Sequence, residues 1–477
     1  MKCVFLKDEI KLEKFSKFMY DVFTSHPFML LQVIMGSYFS IEEMFVPAIF
    51  FFGIIVMCQL LLTKDITPII LPIMLLSFTV IKMYGAKVEM FKDIFALAVL
   101  IMLALFSHFI IYKKKFSLGK QFYPLVAVSI ALIFGGLFSI DVKGYFNPTA
   151  LYYTFALSLG MILIYFTFYN YIFTNNGYNA FMTIAKTMLY AGVMGTTILF
   201  AVVFQFAGKD ELWNIQWSNN LSTWLLLAMP FSFYFVTKYK FGLPFYLFGF
   251  LQFITIFLTL SRGGMIFSFV MLLVCSTAVI FALQGKRRYA YFAVLLVFII
   301  SVYLSFQLNP EFKQKLFDSI KINEGEARAM MILVAIRNFL DNPVFGAGMG
   351  FVGDYYQPVQ HAMYWYHSTP FQIIGSMGLI GICAYTYQFF ARLKIFSFRK
   401  RKTNLFMFLS FFAFEAMALV NPGDFTPFPS MLFLTLIITL CERCNDDPAV
   451  EGDYIKTSFF LNFESWQEDL LASKIKM

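Results

Sequence analysis

Long apolar runs separated by short polar segments recur along the whole of this sequence. Each run approaches the length at which an α-helix crosses a hydrocarbon layer of about 30 Å. Helices also satisfy their backbone hydrogen bonds within one segment when water is absent. The pattern therefore predicts an all-α, polytopic transmembrane helical bundle of about 12 to 14 spans. The predicted spans cover residues 27–41, 44–62, 66–83, 91–111, 121–139, 149–171, 180–206, 221–237, 241–260, 263–284, 289–308, 369–391, 405–420 and 429–441.

The longest interruption of this pattern lies at residues 309–366. Apolar residues at helical spacing run through 326–341, and Pro343 ends this predicted helix because it lacks a backbone donor and restricts the residue before it. Glycines and aromatic residues follow. After His367, two hydroxyl residues and a proline predict a new helix, because a hydroxyl can cap free amides and proline fits the first turn. His367 is therefore expected at a helix N-terminus.

The composition places the chain among membrane proteins. Hydrophobic residues make up 60% of it, charged residues 14%, and the mean hydropathy is +0.71. A soluble globule of 477 residues needs more polar surface than this composition supplies. The formal net charge of +9 does not indicate nucleic-acid binding. Its basic residues stand in short clusters between apolar runs, as in the cytoplasmic loops of membrane proteins.

The basic clusters also predict an orientation, because lysine and arginine favour the cytoplasmic side of short loops. When the spans alternate, the clusters at 113–120, 238–240, 286–288 and 392–402 fall on one side, which we assign to the cytoplasm. The loop 309–366 then faces outward, and it carries five basic and six acidic residues. Both termini are expected inside.

This topology divides the chain into five segments. Residues 1–25 lack the continuous apolar core of a signal peptide and form a cytoplasmic segment. Transmembrane helices occupy 26–308, an extracytoplasmic loop 309–366, further transmembrane helices 367–441, and a cytoplasmic tail 442–477.

The sequence predicts neither a cofactor nor a metal. None of the six cysteines lies in the outward loop, and the CxxC spacing at 441–444 lacks two further ligands nearby. His361 and His367 share one loop without a carboxylate cluster. The glycine pattern at 348–353 follows a helix and opens no βαβ unit, so a tight turn is favoured over a dinucleotide site.

Three arginines are candidates for binding an anion. Arg262 lies between two spans and precedes two glycines, which allow close approach to the backbone. Its guanidinium could snorkel to lipid headgroups, but its forked donors also suit a phosphate, and we favour that role. Arg328 and Arg337 are nine residues apart, which places them about 180° apart on one helix. Only one of them can face a common ligand, and the spacing leaves open which one.

Ionisable residues inside the predicted spans are few. The clearest are Lys82, His108, Lys186 and Glu415. A proton-coupled transporter is expected to carry several acidic residues in its spans. These residues therefore do not indicate a proton relay.

The order of motifs around the outward loop resembles that of the bacterial O-antigen ligase and O-antigen polymerase superfamily. A Ser-Arg-Gly-Gly turn at 261–264 comes first, followed by an arginine-bearing helix that runs into Asn-Pro-Val-Phe-Gly-Ala-Gly at 342–348. A His-Ser pair and a glycine-rich span complete the pattern, which covers about 250–390.

The resemblance implies a metal-independent glycosyltransferase of the bacterial inner membrane, with its active site on the outer face. It implies transfer of a glycan from undecaprenyl pyrophosphate to an acceptor hydroxyl. By motif position, Arg262 and Arg328 bind the pyrophosphate, His367 is catalytic, and Arg337 has a lesser role in substrate binding. Ser368 stands where this family commonly has asparagine, so a role of that amide does not carry over. A flippase and a chain-length regulator stay open as partners.

Two enzyme functions and one transport function fit the sequence. A repeat-unit polymerase, which we favour, uses another lipid-linked repeat unit as acceptor. An O-antigen ligase transfers the glycan to a lipid A core or another terminal acceptor. The alternative of a different class is a non-enzymatic transporter of polysaccharide or lipid-linked oligosaccharide.

The predicted topology can be tested by cysteine labelling in spheroplasts, with the native cysteines replaced. A cysteine at Ser319 should react with a membrane-impermeant thiol reagent, whereas a cysteine at Thr403 should be protected until the membrane is permeabilised. The reverse labelling pattern would contradict the orientation.

Overall fold

The computed structural model describes residues 2–81, 89–138, 148–173, 179–205, 218–259, 261–310, 313–314, 324–349, 365–397, 402–425 and 428–446. Helices and connecting turns make up these residues, and the described part of the chain contains no strand. The predicted all-α class is confirmed.

The helices follow the predicted spans closely, with ends that differ by a few residues. In chain order they are α1 (Lys2–Phe23), α2 (His26–Ile41), α3 (Phe45–Leu62), α4 (Ile70–Ile81), α5 (Glu89–Ile111), α6 (Phe122–Phe134), α7 (Pro148–Phe155), α8 (Met161–Tyr171), α9 (Ala180–Gln205), α10 (Ser218–Lys238), α11 (Leu243–Leu258), α12 (Arg262–Ala282), α13 (Lys286–Leu308), α14 (Glu324–Asp341), α15 (Thr369–Ser397), α16 (Lys402–Ala418) and α17 (Phe428–Asp446). A 3₁₀ turn (Thr67–Ile69) precedes α4, and a π-helical turn (Ala156–Gly160) joins α7 to α8.

The lengths and composition of these helices are those of a multi-pass membrane protein. Six helical segments in the described part of the chain are long and apolar enough to cross a membrane: Phe45–Leu62, Ala150–Tyr171, Ala180–Val202, Arg262–Ala282, Lys286–Leu308 and Thr369–Phe396. Shorter apolar helices lie beside them. On α13 most side chains are exposed and apolar, as expected of a helix that faces lipid.

The α10 helix lies at the centre of the bundle. It packs against α9, α11, α12 and α16, and it is hydrophobic on nearly all sides, which is typical of a buried helix. The Trp224 ring lies 5.2 Å from that of Phe78 on α4 and 5.0 Å from that of Phe433 on α17. α10 therefore joins the two halves of the chain in one core.

The α15 helix is broken at Gly378, where φ is +58° and ψ is −146°. A Cβ atom on Gly381 would lie 3.1 Å from Cγ2 of Ile373. These residues are eight apart, which corresponds to about 12 Å along a straight helix. The two parts, which we call the first arm (369–377) and the second arm (379–397), therefore fold back against each other. The predicted span 369–391 is thus a hairpin, and its second arm alone is about 28 Å long.

The backbone at the break pairs with the segment 343–348, which follows α14. Ala347 and Gly348 donate their N–H groups to the carbonyls of Gly375 and Ser376 at 2.9 and 3.0 Å. In return, the Leu379 N–H donates to the Pro343 carbonyl at 2.9 Å. These bonds satisfy groups that a broken helix would leave unpaired in an apolar environment.

Glycines permit this backbone contact. A Cβ atom on Gly346, where φ is +65°, would lie 2.5 Å from the Met377 nitrogen. A Cβ atom on Gly136, at the end of α6, would lie 2.6 Å from Cα of Gly348. Of the turn predicted at 348–353, only residues 348 and 349 are described, so this turn stays a prediction.

Replacing Gly378 with alanine should destabilise the protein. A side chain in this backbone conformation costs about 1–3 kcal/mol, and the added Cβ would also lie 2.5 Å from the Pro343 carbonyl oxygen. Gly285 is a matched control, because it has nearly the same dihedral angles (φ +63°, ψ −147°) and no atom within 4 Å of the added Cβ. Thermal unfolding in detergent should show a larger loss for Gly378→Ala than for Gly285→Ala. Equal losses would contradict close packing at the break.

Candidate functional site

The first element of the site is the start of α12, which carries Arg262. The Ser261 hydroxyl caps this helix by accepting from the Gly264 N–H at 3.3 Å, and it donates to Oδ1 of Asn219 at 2.6 Å. Arg262 is half-buried at the helix N-terminus. A helix N-terminus favours anions, because its free N–H groups and the helix dipole both point toward them.

The second element is the connection between α16 and α17, residues 419–425, which we call the linking loop. A Cβ atom on Gly263 would contact the Val420 side chain. At its other end, the Asp424 N–H donates to the Thr369 hydroxyl over a long 3.4 Å, and the Phe425 ring lies 6.4 Å from that of Trp365. The linking loop therefore connects the start of α12 with the start of α15.

His367 lies two residues before α15, as predicted. Its φ is +53°, which is uncommon for a residue other than glycine and is often found at functional sites. The chain on either side is fixed, because Gln372 accepts from the Tyr366 N–H at 3.1 Å and donates its own N–H to the Ser368 carbonyl at 2.8 Å. Nδ1 of His367 is buried, while the residue as a whole is half-buried.

The α14 helix presents its two arginines differently. Its buried face is formed by residues at helical spacing, among them Met331, Ala335 and Asn338. Arg328 is half-buried one turn before Met331 and lies on the side of that face. The side chain of Arg337 is 56% exposed, and its Nε lies 3.8 Å from the Asp341 carboxylate. Arg328 therefore lies beside the buried face of α14, whereas Arg337 lies on an exposed side. The nine-residue spacing alone did not distinguish these two positions.

The buried face of α14 packs against the first arm of α15. Asn338 donates from Nδ2 to the Tyr366 hydroxyl at 2.7 Å, and burial raises the pKa of that phenol. A Cβ atom on Gly375 would lie 3.1 Å from Cα of Ala335. These contacts fix the helix that carries Arg328 to the segment that carries His367.

A cavity of about 390 Å³ lies between the two arms of α15, the end of α16 and the linking loop. It is lined by Thr369, Pro370, Ile373, Ile374, Ile382, Tyr385, Thr386, Gln388, Phe389, Arg392, Glu415, Ala418, Leu419 and Asp424. Arg392 is buried in its wall, and Nη1 lies 3.0 Å from Oε1 of Glu415 and 3.2 Å from Oδ1 of Asp424. The basic cluster 392–402 predicted Arg392 at a loop, whereas the structure places it within α15.

The linking loop thus contacts the element that begins with Arg262 and the helix start that follows His367, and the helix that carries Arg328 packs on the first arm. Arg337 lies on another side of α14. His108 is a buried residue elsewhere, with Nδ1 2.7 Å from the Leu60 carbonyl oxygen. His361 and Lys82 lie outside the described residues.

Comparison with known proteins identifies the segment that builds this site. Residues 247–386 match the family model described as O-antigen ligase, and this segment contains Arg262, Arg328, Arg337 and His367. No curated protein and no solved structure matches the chain significantly. The match covers only part of the chain, and it confirms that this segment resembles the O-antigen ligase-like superfamily.

Proposed function

We propose that this protein transfers a glycan from undecaprenyl pyrophosphate to an acceptor hydroxyl at the outer face of the bacterial inner membrane. The observation that carries the proposal is that the elements bearing Arg262, Arg328 and His367 are joined by the linking loop and the first arm. All three residues also lie within the segment that matches the O-antigen ligase family. The basic clusters at 238–240 and 286–288 lie at the opposite ends of α11 and α12, which supports an outward-facing start of α12.

The donor pyrophosphate would be held by Arg262 and Arg328. Two guanidinium groups offer forked donors for phosphate oxygens, and the N-terminus of α12 adds free N–H groups beside Arg262. Their charge stabilises the pyrophosphate as it leaves. The bond between the anomeric carbon and the pyrophosphate oxygen breaks, and its electron pair stays on the pyrophosphate.

His367 would act as the general base. The acceptor oxygen forms the new bond to the anomeric carbon, and its proton passes to the imidazole. A neutral imidazole can accept this proton at its unprotonated ring nitrogen. The hydrogen bonds at Tyr366 and Gln372 fix the backbone on either side of His367, which supports a positioned base.

The acceptor decides between two forms of this reaction. We favour repeat-unit polymerisation, in which the acceptor is another lipid-linked repeat unit. The second form is transfer to a lipid A core or another terminal acceptor. It is favoured by one observation, which is that the matched family model is described as O-antigen ligase. The proposed reaction is metal-independent, and a flippase and a chain-length regulator stay open as partners.

Purified protein in vesicles with a lipid-linked oligosaccharide tests the function. Longer lipid-linked chains indicate a polymerase, and transfer to an added core acceptor indicates a ligase. Movement of the oligosaccharide across the vesicle membrane without a new glycosidic bond would indicate a transporter and contradict the proposal.

Lysine substitutions separate the roles of the three arginines. Arg262→Lys and Arg328→Lys should each reduce turnover about 10-fold or more, because lysine keeps the charge but loses the forked donors. Arg337→Lys should have a milder effect, because that side chain is exposed and pairs with Asp341. Steady-state rates with the lipid-linked donor measure the difference, and equal tolerance at all three positions would exclude forked recognition.

Removing the base should reduce turnover without affecting folding. His367→Ala should retain thermal stability and donor binding but reduce turnover by roughly 10²- to 10⁴-fold. His361→Ala is the control on the same predicted loop. Rates of donor turnover against pH, with unfolding followed in parallel, make the comparison. A near-normal rate in His367→Ala would exclude the general-base role.

A further inference from the structure

We propose that Arg392 is a positioning residue for the transfer reaction. Through Asp424 it fixes the linking loop, and the linking loop sets the place of the His367 segment relative to the start of α12, where Arg262 lies. This inference rests on the proposed function, and it concerns a residue outside the segment that matches the O-antigen ligase family.

The first step of the inference is the burial of the ion network. The side chains of Arg392, Glu415 and Asp424 are 4%, 19% and 3% exposed. Charges in such surroundings are costly unless each has a partner of opposite sign. The positions of the two carboxylates are therefore set by the guanidinium between them, and Asp424 has little freedom to move.

The second step is the compact form of the linking loop. The Asn421 N–H donates to the Met417 carbonyl at 3.0 Å, which continues α16 into the loop. The Gly423 N–H donates to the Asn421 carbonyl at 2.7 Å, and the Phe425 N–H to the Pro422 carbonyl at 2.9 Å. Because these bonds lie within the loop, fixing Asp424 also fixes its neighbours.

The third step is the contact of this loop with both parts of the site. On one side, Val420 packs against Gly263, next to Arg262. On the other side, Asp424 donates its N–H to Thr369, two residues after His367. The Phe425 ring also lies 5.5 Å from that of Tyr385 on the second arm. The loop thus spans the distance between the proposed anion-binding group and the proposed base.

The contacts of Arg392 differ from the forked contacts that we propose for Arg262 and Arg328. Both of its ion-pair contacts come from the single atom Nη1. A lysine nitrogen carries three donors and can reproduce two contacts made by one atom. Lysine should therefore substitute for Arg392 but not for Arg262 or Arg328.

A purely structural network would affect stability alone, so the test measures stability, kcat and the donor KM together. The single variant Arg392→Met leaves two buried carboxylates without their partner and is expected to fold poorly. The triple variant Arg392→Met/Glu415→Gln/Asp424→Asn removes all three charges at once and should keep thermal stability near that of the wild type. We expect its kcat to fall at least 10-fold and its donor KM to change less than about 3-fold, because misplacement of reacting groups by about 1 Å can cost 10²-fold.

A second pair of variants leaves the charges in place. Thr369→Val removes the hydroxyl that accepts from Asp424, and Thr369→Ser restores it. We expect Thr369→Val to lower kcat in the same way as the triple variant, with recovery in Thr369→Ser and in Arg392→Lys. Ser410→Ala is a matched control, because it removes a buried hydrogen bond from α16 to the Leu227 carbonyl without touching the linking loop.

Loss of kcat at nearly constant donor KM, with recovery by the lysine and serine variants, supports the positioning role. Wild-type kcat in Thr369→Val or in a folded triple variant would overturn it. Loss of rate that follows thermal stability in every variant, Ser410→Ala included, would assign the network to folding and overturn it as well. A wild-type protein that forms no glycosidic bond would instead disprove the proposed function, and the vesicle assay detects that separately.

Discussion

The requirement that every backbone group in an apolar environment finds a partner governs the region around the site. The break at Gly378 leaves carbonyl and N–H groups of α15 without their helical partners, and the segment 343–348 supplies new ones. This pairing fixes the end of α14 beside the hairpin. The buried face of α14 then packs on the first arm, so Arg328 and His367 depend on the same backbone contact for their relative positions.

The sequence predicted much of the fold because membrane helices are defined by local properties. Apolar length and the positions of proline and polar residues were enough to locate α14 and the start of α15 within a few residues. The hairpin could not be predicted this way, because an apolar run of this length also fits one straight span. The glycines at 375, 378 and 381 have a spacing that favours close helix packing, but the left-handed break depends on the segment 343–348, which is distant from them in sequence.

The sequence predicted those parts of the candidate site in which the chemistry of a single residue and its neighbours is informative. Arginine beside glycines and histidine before a helix start could be recognised locally, and the family match now covers both. The resemblance already ranked Arg328 over Arg337, whereas the residue spacing left the two equal, and the packing of α14 supplies the physical reason. The ion-pair partners of Arg392 are 23 and 32 residues away, and the sequence offers no rule that predicts pairs at such separations. The basic residues that follow Arg392 therefore led to the wrong prediction that it lies in a loop.

The hairpin also determines how deep the proposed reaction takes place. The first arm runs back from the break over a length of about 13 Å, so His367 is recessed by that distance from the turn that pairs with 343–348. In the proposed reaction, the sugar bonded to the pyrophosphate and the acceptor hydroxyl would both have to enter this recess to reach the imidazole.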